Sequence, residues 1–173
     1  MSTIKVLGIS GSPVKGGNTD RLVREMVEKL GGGDVILLRE ERILHCTGCM
    51  DCERSGACHL KDGMRGIYRK MDSSDVIVFG SPSYYDNVSG MMKNFIDRTD
   101  PYSTNKKLAG KKAIIITVGV VTPEKALPAI KTMCKYNGMK VMGSVSVISR
   151  SGKIENMKKV QAELESLAKK VLK

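Results

Sequence analysis

Four of the five cysteines fall within thirteen residues, Cys46-Thr-Gly-Cys49-Met-Asp-Cys52-Glu-Arg-Ser-Gly-Ala-Cys58, a C-x2-C-x2-C-x5-C spacing. Structural cysteines of a reduced protein scatter singly through cores, and a disulfide framework does not suit a chain whose remainder alternates strands and helices. A short glycine-containing loop can turn three closely spaced thiolates toward one centre while the fourth closes from the far side. Soft thiolates suit iron–sulfur clusters or zinc. Zinc sites use two close pairs separated by a longer arm, so three consecutive close cysteines favour a 4Fe-4S cluster. Zinc and unliganded, redox-active thiols are the other readings of Cys46, Cys49, Cys52 and Cys58. His45 and His59 flank the array and read as supporting or exposed residues, because four thiolates already complete a tetrahedral set. Cys134, beside Met133 in a helical pattern, reads as a packed core cysteine.

A second chemical constellation opens the chain. Ser10, Ser12 and Thr19 bring hydroxyls and Asn18 an amide, while Gly11, Gly16 and Gly17 let backbone approach a ligand. The helix that follows points its free N–H groups back at this turn, which is where such turns bind anions. The glycine spacing of a dinucleotide fingerprint is absent, and no Gly-Lys-Ser or Gly-Lys-Thr of a triphosphate loop follows. The turn resembles that of flavodoxin-like folds, which implies a monophosphate, that of FMN, held by hydroxyls and amides without a basic side chain. A helix cap with a flexible glycine loop is the alternative for this segment taken alone.

These residues need elements to position them. Residues 4–9 form an apolar run into Ser10, and Leu22, Val23, Met26, Val27 and Leu30 then recur at helical spacing. Residues 35–38 form a second strand, and the connection 39–61 carries the cysteines. Met64, Ile67, Tyr68 and Met71 mark a helix. A third strand, 76–79, stops at Gly80-Ser-Pro. Ser89 caps a helix containing Met91, Met92, Phe95 and Ile96. Residues 113–118 form an unbroken apolar strand of the kind buried on both faces of a parallel sheet. Pro123 and Glu124 open a helix through Met133, residues 141–148 form a fifth strand, and 154–172 a closing amphipathic helix. The pattern predicts one α/β domain over residues 1–173, a flavodoxin-like doubly wound five-stranded parallel sheet in the order 2-1-3-4-5. That order sets the loops after the first and third strands side by side at the topological switch point, where such sheets bind ligands.

The bulk properties exclude other classes. The longest apolar stretch, 113–121, is far shorter than the roughly 18 to 20 residues of a membrane helix. Residues 1–9 read as a strand without a leader cleavage site, so a cytoplasmic location is expected. The formal charge is +11, from 29 Lys and Arg against 18 Asp and Glu. Its lysines interleave with apolar residues in the last helix and no aromatic stripe accompanies them, which argues against nucleic acid and for an anionic ligand or acidic protein partner.

The stretches Gly8-Ile-Ser-Gly-Ser-Pro-Val-Lys-Gly-Gly-Asn-Thr19, Gly80-Ser-Pro-Ser-Tyr-Tyr85 and Lys93-Asn-Phe-Ile-Asp-Arg98 resemble the NAD(P)H-dependent FMN reductase superfamily, in its order. The resemblance implies that Ser10, Ser12, Asn18 and Thr19 contact the flavin phosphate, with Pro13 and Gly17 also in the cofactor-binding turn. It also implies that Pro82, Ser83, Tyr84, Tyr85, Asp86 and Asn87 line the isoalloxazine. Thr117, Val118 and Gly119 match the third flavin loop loosely. Lys93 and Arg98 read equally as helix-surface charges, and Asp97 with Arg98 as a brace at the helix end or an oligomer contact. The cysteine motif resembles the iron–sulfur flavoprotein branch, which implies a 4Fe-4S cluster on Cys46, Cys49, Cys52 and Cys58. The branch's consecutive acidic pair after the fourth cysteine is here reduced to Asp62.

By this resemblance the chain is a flavin-dependent oxidoreductase, a homodimer or tetramer, that passes electrons from a ferredoxin-like donor to a small acceptor. No catalytic acid or nucleophile is required of it. The alternatives are an NAD(P)H-dependent FMN or quinone reductase without a cluster, and a flavodoxin-like carrier or redox sensor that turns nothing over.

Overall fold

The computed structural model describes residues 4–173, and the first three residues of the expected opening strand lie outside the described residues. In chain order the elements are β1 (Val6–Ser10), α1 (Asn18–Lys29), β2 (Gly33–Leu37), α2 (Asp51–Ser55), α3 (Met64–Ser73), β3 (Val76–Tyr84), β4 (Asn87–Val88), α4 (Gly90–Asp97), α5 (Asp100–Ser103), β5 (Lys112–Gly119), α6 (Leu127–Tyr136), β6 (Lys140–Arg150), β7 (Lys153–Ile154) and α7 (Met157–Leu172). Short 3-10 turns cover Leu38–Glu40 and Pro123–Ala126.

Five strands pair in parallel in the order β2-β1-β3-β5-β6, the expected arrangement. The expectation of a plain five-stranded sheet is corrected by two short antiparallel additions. β4 folds back on the end of β3, and β7 on the end of β6, giving seven strands.

Side chains alternate across the sheet, so the apolar runs of β3 and β5 serve two cores. Ile77, Phe79, Ala113 and Ile115 pack with Met64, Ile67, Phe95 and Ile130 of α3, α4 and α6. Val76, Val78, Ile114 and Ile116 pack with Leu22, Val23, Met26 and Leu164 of α1 and α7. Cys134 is fully buried in the first of these cores, as its helical setting suggested. Gly80 lets α1 lie close over the strand ends, because a Cβ there would stand 2.3 Å from Val23 Cγ2.

β3 runs five residues past the expected stop. Its partner β1 ends at the Ser10–Gly80 pair, and Gly11 N–H makes the last bond on that side, to the Gly80 carbonyl at 2.8 Å. Pro82, two residues on, turns its missing donor toward that same vacated side, where no ladder bond is lost. The closing helix starts at Met157 rather than 154, because Ile154 is taken into β7 and Asn156 turns the chain at φ 51°.

Candidate functional site

The carboxyl ends of β1 and β3 lie side by side, where the strand order reverses, and the first turn rises from the former. Among the described residues no side chain caps α1 after Gly17, so its first amides are without a side-chain partner, as at helix ends that receive anions. Ser10, Ser12 and Thr19 are buried around this N-terminus, Gly17 and Asn18 are half-buried, and Pro13 is exposed at the rim. Uncapped amides beside buried hydroxyls fit a phosphate monoester. Not every expected donor is free: Ser10 Oγ donates to Asp20 Oδ1 at 2.6 Å, and the Ser12 hydroxyl folds back on Val14. Asn18 Nδ2 donates to Ser149 Oγ at 2.7 Å and to the Gly152 carbonyl at 2.9 Å, stapling the turn to the β6–β7 corner. A basic side chain does reach the turn, contrary to the sequence reading. Arg39, just past β2, donates to the Ser12 carbonyl at 3.2 Å and pairs with Asp20 at 2.8 Å.

Beside the turn, β3 and β4 form a hairpin with Tyr85 and Asp86 at its tip, both at positive φ (48° and 58°). Two such residues in a two-residue loop make the mirror-image turn whose twist suits paired strands. Tyr85 projects fully into solvent and Tyr84 is half-exposed, while Pro82 is buried beneath them. The loop after β5 buttresses this hairpin, with Ser83 donating to the Thr122 carbonyl at 3.1 Å and Thr122 donating to Asp86. Ser83 to Asp86 and Val118 to Thr122 enclose an open groove of about 600 Å³. Gly119 reaches that groove. Thr117 does not, because it lies wholly inside the sheet with its hydroxyl on Ser146 at 3.0 Å.

The cysteine loop folds over the far end of α4. Cys46, Cys49, Cys52 and Cys58 all line one cavity, together with His59 and Arg98. Gly48, Met50 and Gly56 coil the loop at positive φ, with Cys46 and Cys49 exposed and Cys52 and Cys58 half-buried. Cys49 Sγ lies 3.3 Å from His59 Nδ1, and Asp51 Oδ2 lies 3.4 Å from the same nitrogen. Among the described residues these three are the group whose ligand atoms all lie within 4.8 Å of one another. Partial burial and the Asp100 carboxylate, 3.1 Å away, push the Cys52 thiol up to about 11.

Arg98 holds this loop from beneath. It is 2% exposed, pairs with Asp62 at 2.6 and 3.2 Å, and donates to the Leu44 carbonyl at 2.6 Å. Asp62 accepts the Leu44 and Met64 amides in turn, so one ion pair gathers both ends of the loop. Burial pushes Asp62 up, but Arg98 and the two amides outweigh it and hold the carboxyl below its usual range. Arg98 is therefore a brace, not a surface charge, and its Nε is buried without a partner among the described residues. Lys93 is a surface charge on α4 as expected, but its partner is Asp97, which was expected to brace the helix end with Arg98; Arg98 takes the buried Asp62 side chain instead. α4 joins the two regions: its cap Ser89 bonds to the Gly11 carbonyl of the first turn, and its eight residues span about 12 Å to the cysteine cavity.

Asp20, Arg39 and Ser149 escaped the sequence reading, since nothing in their spacing announces the contacts they make. Among the described residues no helix is long and apolar enough to cross a membrane.

Residues 4–153 match the family model described as NADPH-dependent FMN reductase. An iron–sulfur flavoprotein of Archaeoglobus fulgidus is 34% identical, the match covering 81% of this chain and 66% of that one. An iron–sulfur flavoprotein of Methanosarcina thermophila is 30% identical over 83% of this chain and 79% of that one. This chain spans 49 to 66% of the length of the first curated relatives it matches. Among solved structures, the NAD(P)H:acceptor oxidoreductase FerB of Paracoccus denitrificans superposes with a TM-score of 0.70 at 20% identity, covering 97% of each chain, a likeness of fold. Fold, motif order and sequence identity agree: this chain belongs to the iron–sulfur flavoproteins within the flavodoxin-like NADPH-dependent FMN reductase family.

Proposed function

We propose that the chain is an FMN-dependent reductase that draws electrons from NAD(P)H and delivers them to a small acceptor such as a quinone or free flavin. The observation that carries this reading is the uncapped α1 N-terminus beside an open groove at the switch point of the sheet. Bound there, FMN supplies a site that accepts hydride and releases electrons singly or in pairs. The amides of Asn18 and Thr19 and the hydroxyl of Thr19 would hold its phosphate. Pro82 to Asn87 would border its ring, with Gly119 closing the other wall. The groove stays open above the hairpin, leaving room for a second planar ring. Anaerobic addition of NADH or NADPH to the FMN-loaded chain is expected to bleach the flavin without any protein donor. A flavin that stays oxidised under both, yet is reduced by a ferredoxin, overturns the nicotinamide reading.

A second reading adds a 4Fe-4S cluster that passes electrons singly from a ferredoxin-like donor to the flavin, and the cavity lined by all four cysteines favours it. Zinc on four thiolates needs sulfur atoms within about 3.8 Å of one another, at 2.3 Å per bond in a tetrahedron. No such foursome exists among the described residues. A cluster, in which each thiolate binds its own iron, accepts wider spacing. Cys49→Ala is expected to abolish iron and sulfide incorporation while FMN stays bound. Full iron retention in that variant would remove Cys49 from the ligand set.

A further inference from the structure

The first turn contains a buried carboxylate where an anion is to be held. Asp20, the third residue of α1, is 2% exposed. It accepts from Ser10 Oγ at 2.6 Å, from the Gly16 amide at 3.1 Å and from Arg39 at 2.8 Å. Arg39 also donates to the Ser12 carbonyl at 3.2 Å. One carboxylate and one guanidinium thus tie together Ser10, Ser12, Gly16 and the start of α1. Alone, the carboxylate would repel a phosphate dianion at this N-terminus, and the half-buried setting weakens solvent screening. Paired with Arg39 it leaves the turn electrically open to an anion.

We propose that Asp20 and Arg39 are positioning residues that make the first turn selective for a phosphorylated flavin. Arg39 neutralises Asp20, and the pair fixes the loop so that the free α1 amides face the phosphate. The inference rests on the reading of this turn as the FMN phosphate site.

The test is flavin titration of the full chain, freed of flavin, with FMN and riboflavin in parallel. Wild type is expected to prefer FMN. Arg39→Met is expected to lower FMN affinity at least about tenfold, a size in keeping with an uncompensated buried charge, while riboflavin affinity stays within about twofold. The double variant Asp20→Asn with Arg39→Met, which removes both charges, is expected to recover most of the loss. A retained FMN preference in Arg39→Met overturns the proposal, and so does an equal loss for both flavins, which marks a merely structural pair. A wild type that does not distinguish the two flavins overturns the phosphate reading itself. Should Arg39→Met fail to fold, Asp20→Asn decides: it frees the Arg39 charge and is expected to raise the FMN-to-riboflavin affinity ratio, and an unchanged or lower ratio overturns the proposal.

Discussion

At the scale of single residues, the cysteine loop depends on an ion pair that none of the cysteines reveals. Asp62 and Arg98 are 1% and 2% exposed in their side chains, and 36 residues separate them in the chain. Removing one member of such a pair strands a buried charge, so Asp62→Asn is expected to cost about 3 to 5 kcal/mol in urea unfolding. Because Asp62 is held below its unfolded value, its contribution is complete above that value, near 3.8, and is lost as pH falls through the lower folded one. Acid unfolding of the variant should therefore lack that component. The cysteines themselves were legible because close spacing alone limits what thiolates can do. Arg39 and Asp20 were not, and Arg98 was read as a brace but with the wrong partner, since a charge reads the same whether solvated or buried, and only the fold brings Arg39 to Asp20 and Arg98 to Asp62.

At the scale of elements, the β3–β4 hairpin shows a local rule overridden. Gly80-Ser-Pro reads as a turn in any sequence, yet β3 continues through it because β1 has ended and β5 still pairs, as far as Pro82 with Val118. The hairpin tip that follows places Tyr85, a bulky residue, at φ 48°. Such a conformation costs roughly 1 kcal/mol that glycine does not incur. Tyr85→Gly is accordingly expected to leave the chain as stable as wild type or up to about 1 kcal/mol more stable. If Tyr85 borders the flavin, the same variant binds FMN more weakly, and urea unfolding with FMN titration separates the two effects. The positive φ is what the two-residue mirror-image turn demands, and the Tyr85 ring has no cover among the described residues. The helices were easier to read: Ser89 caps α4 through the Met92 amide as its position suggested.

At the scale of the whole molecule, the strand order was legible because alternating strands and helices with short links leave few topologies. The two antiparallel additions were not, since β4 and β7 are two residues long and carry no periodicity. The sheet reversal gathers the first turn, the hairpin and the β5 loop at one edge, and α4 connects that edge to the cysteine cavity. The +11 charge suits an anionic cofactor or an acidic partner, without choosing between the two donors. The most direct measurement is purification without oxygen, with FMN, iron and acid-labile sulfide counted per chain and NADPH then added to the same sample. The account predicts one FMN per chain that bleaches on NADPH addition, with about four irons and four sulfides if the cysteine cavity is loaded. A chain that retains no FMN and takes up none on titration would contradict it.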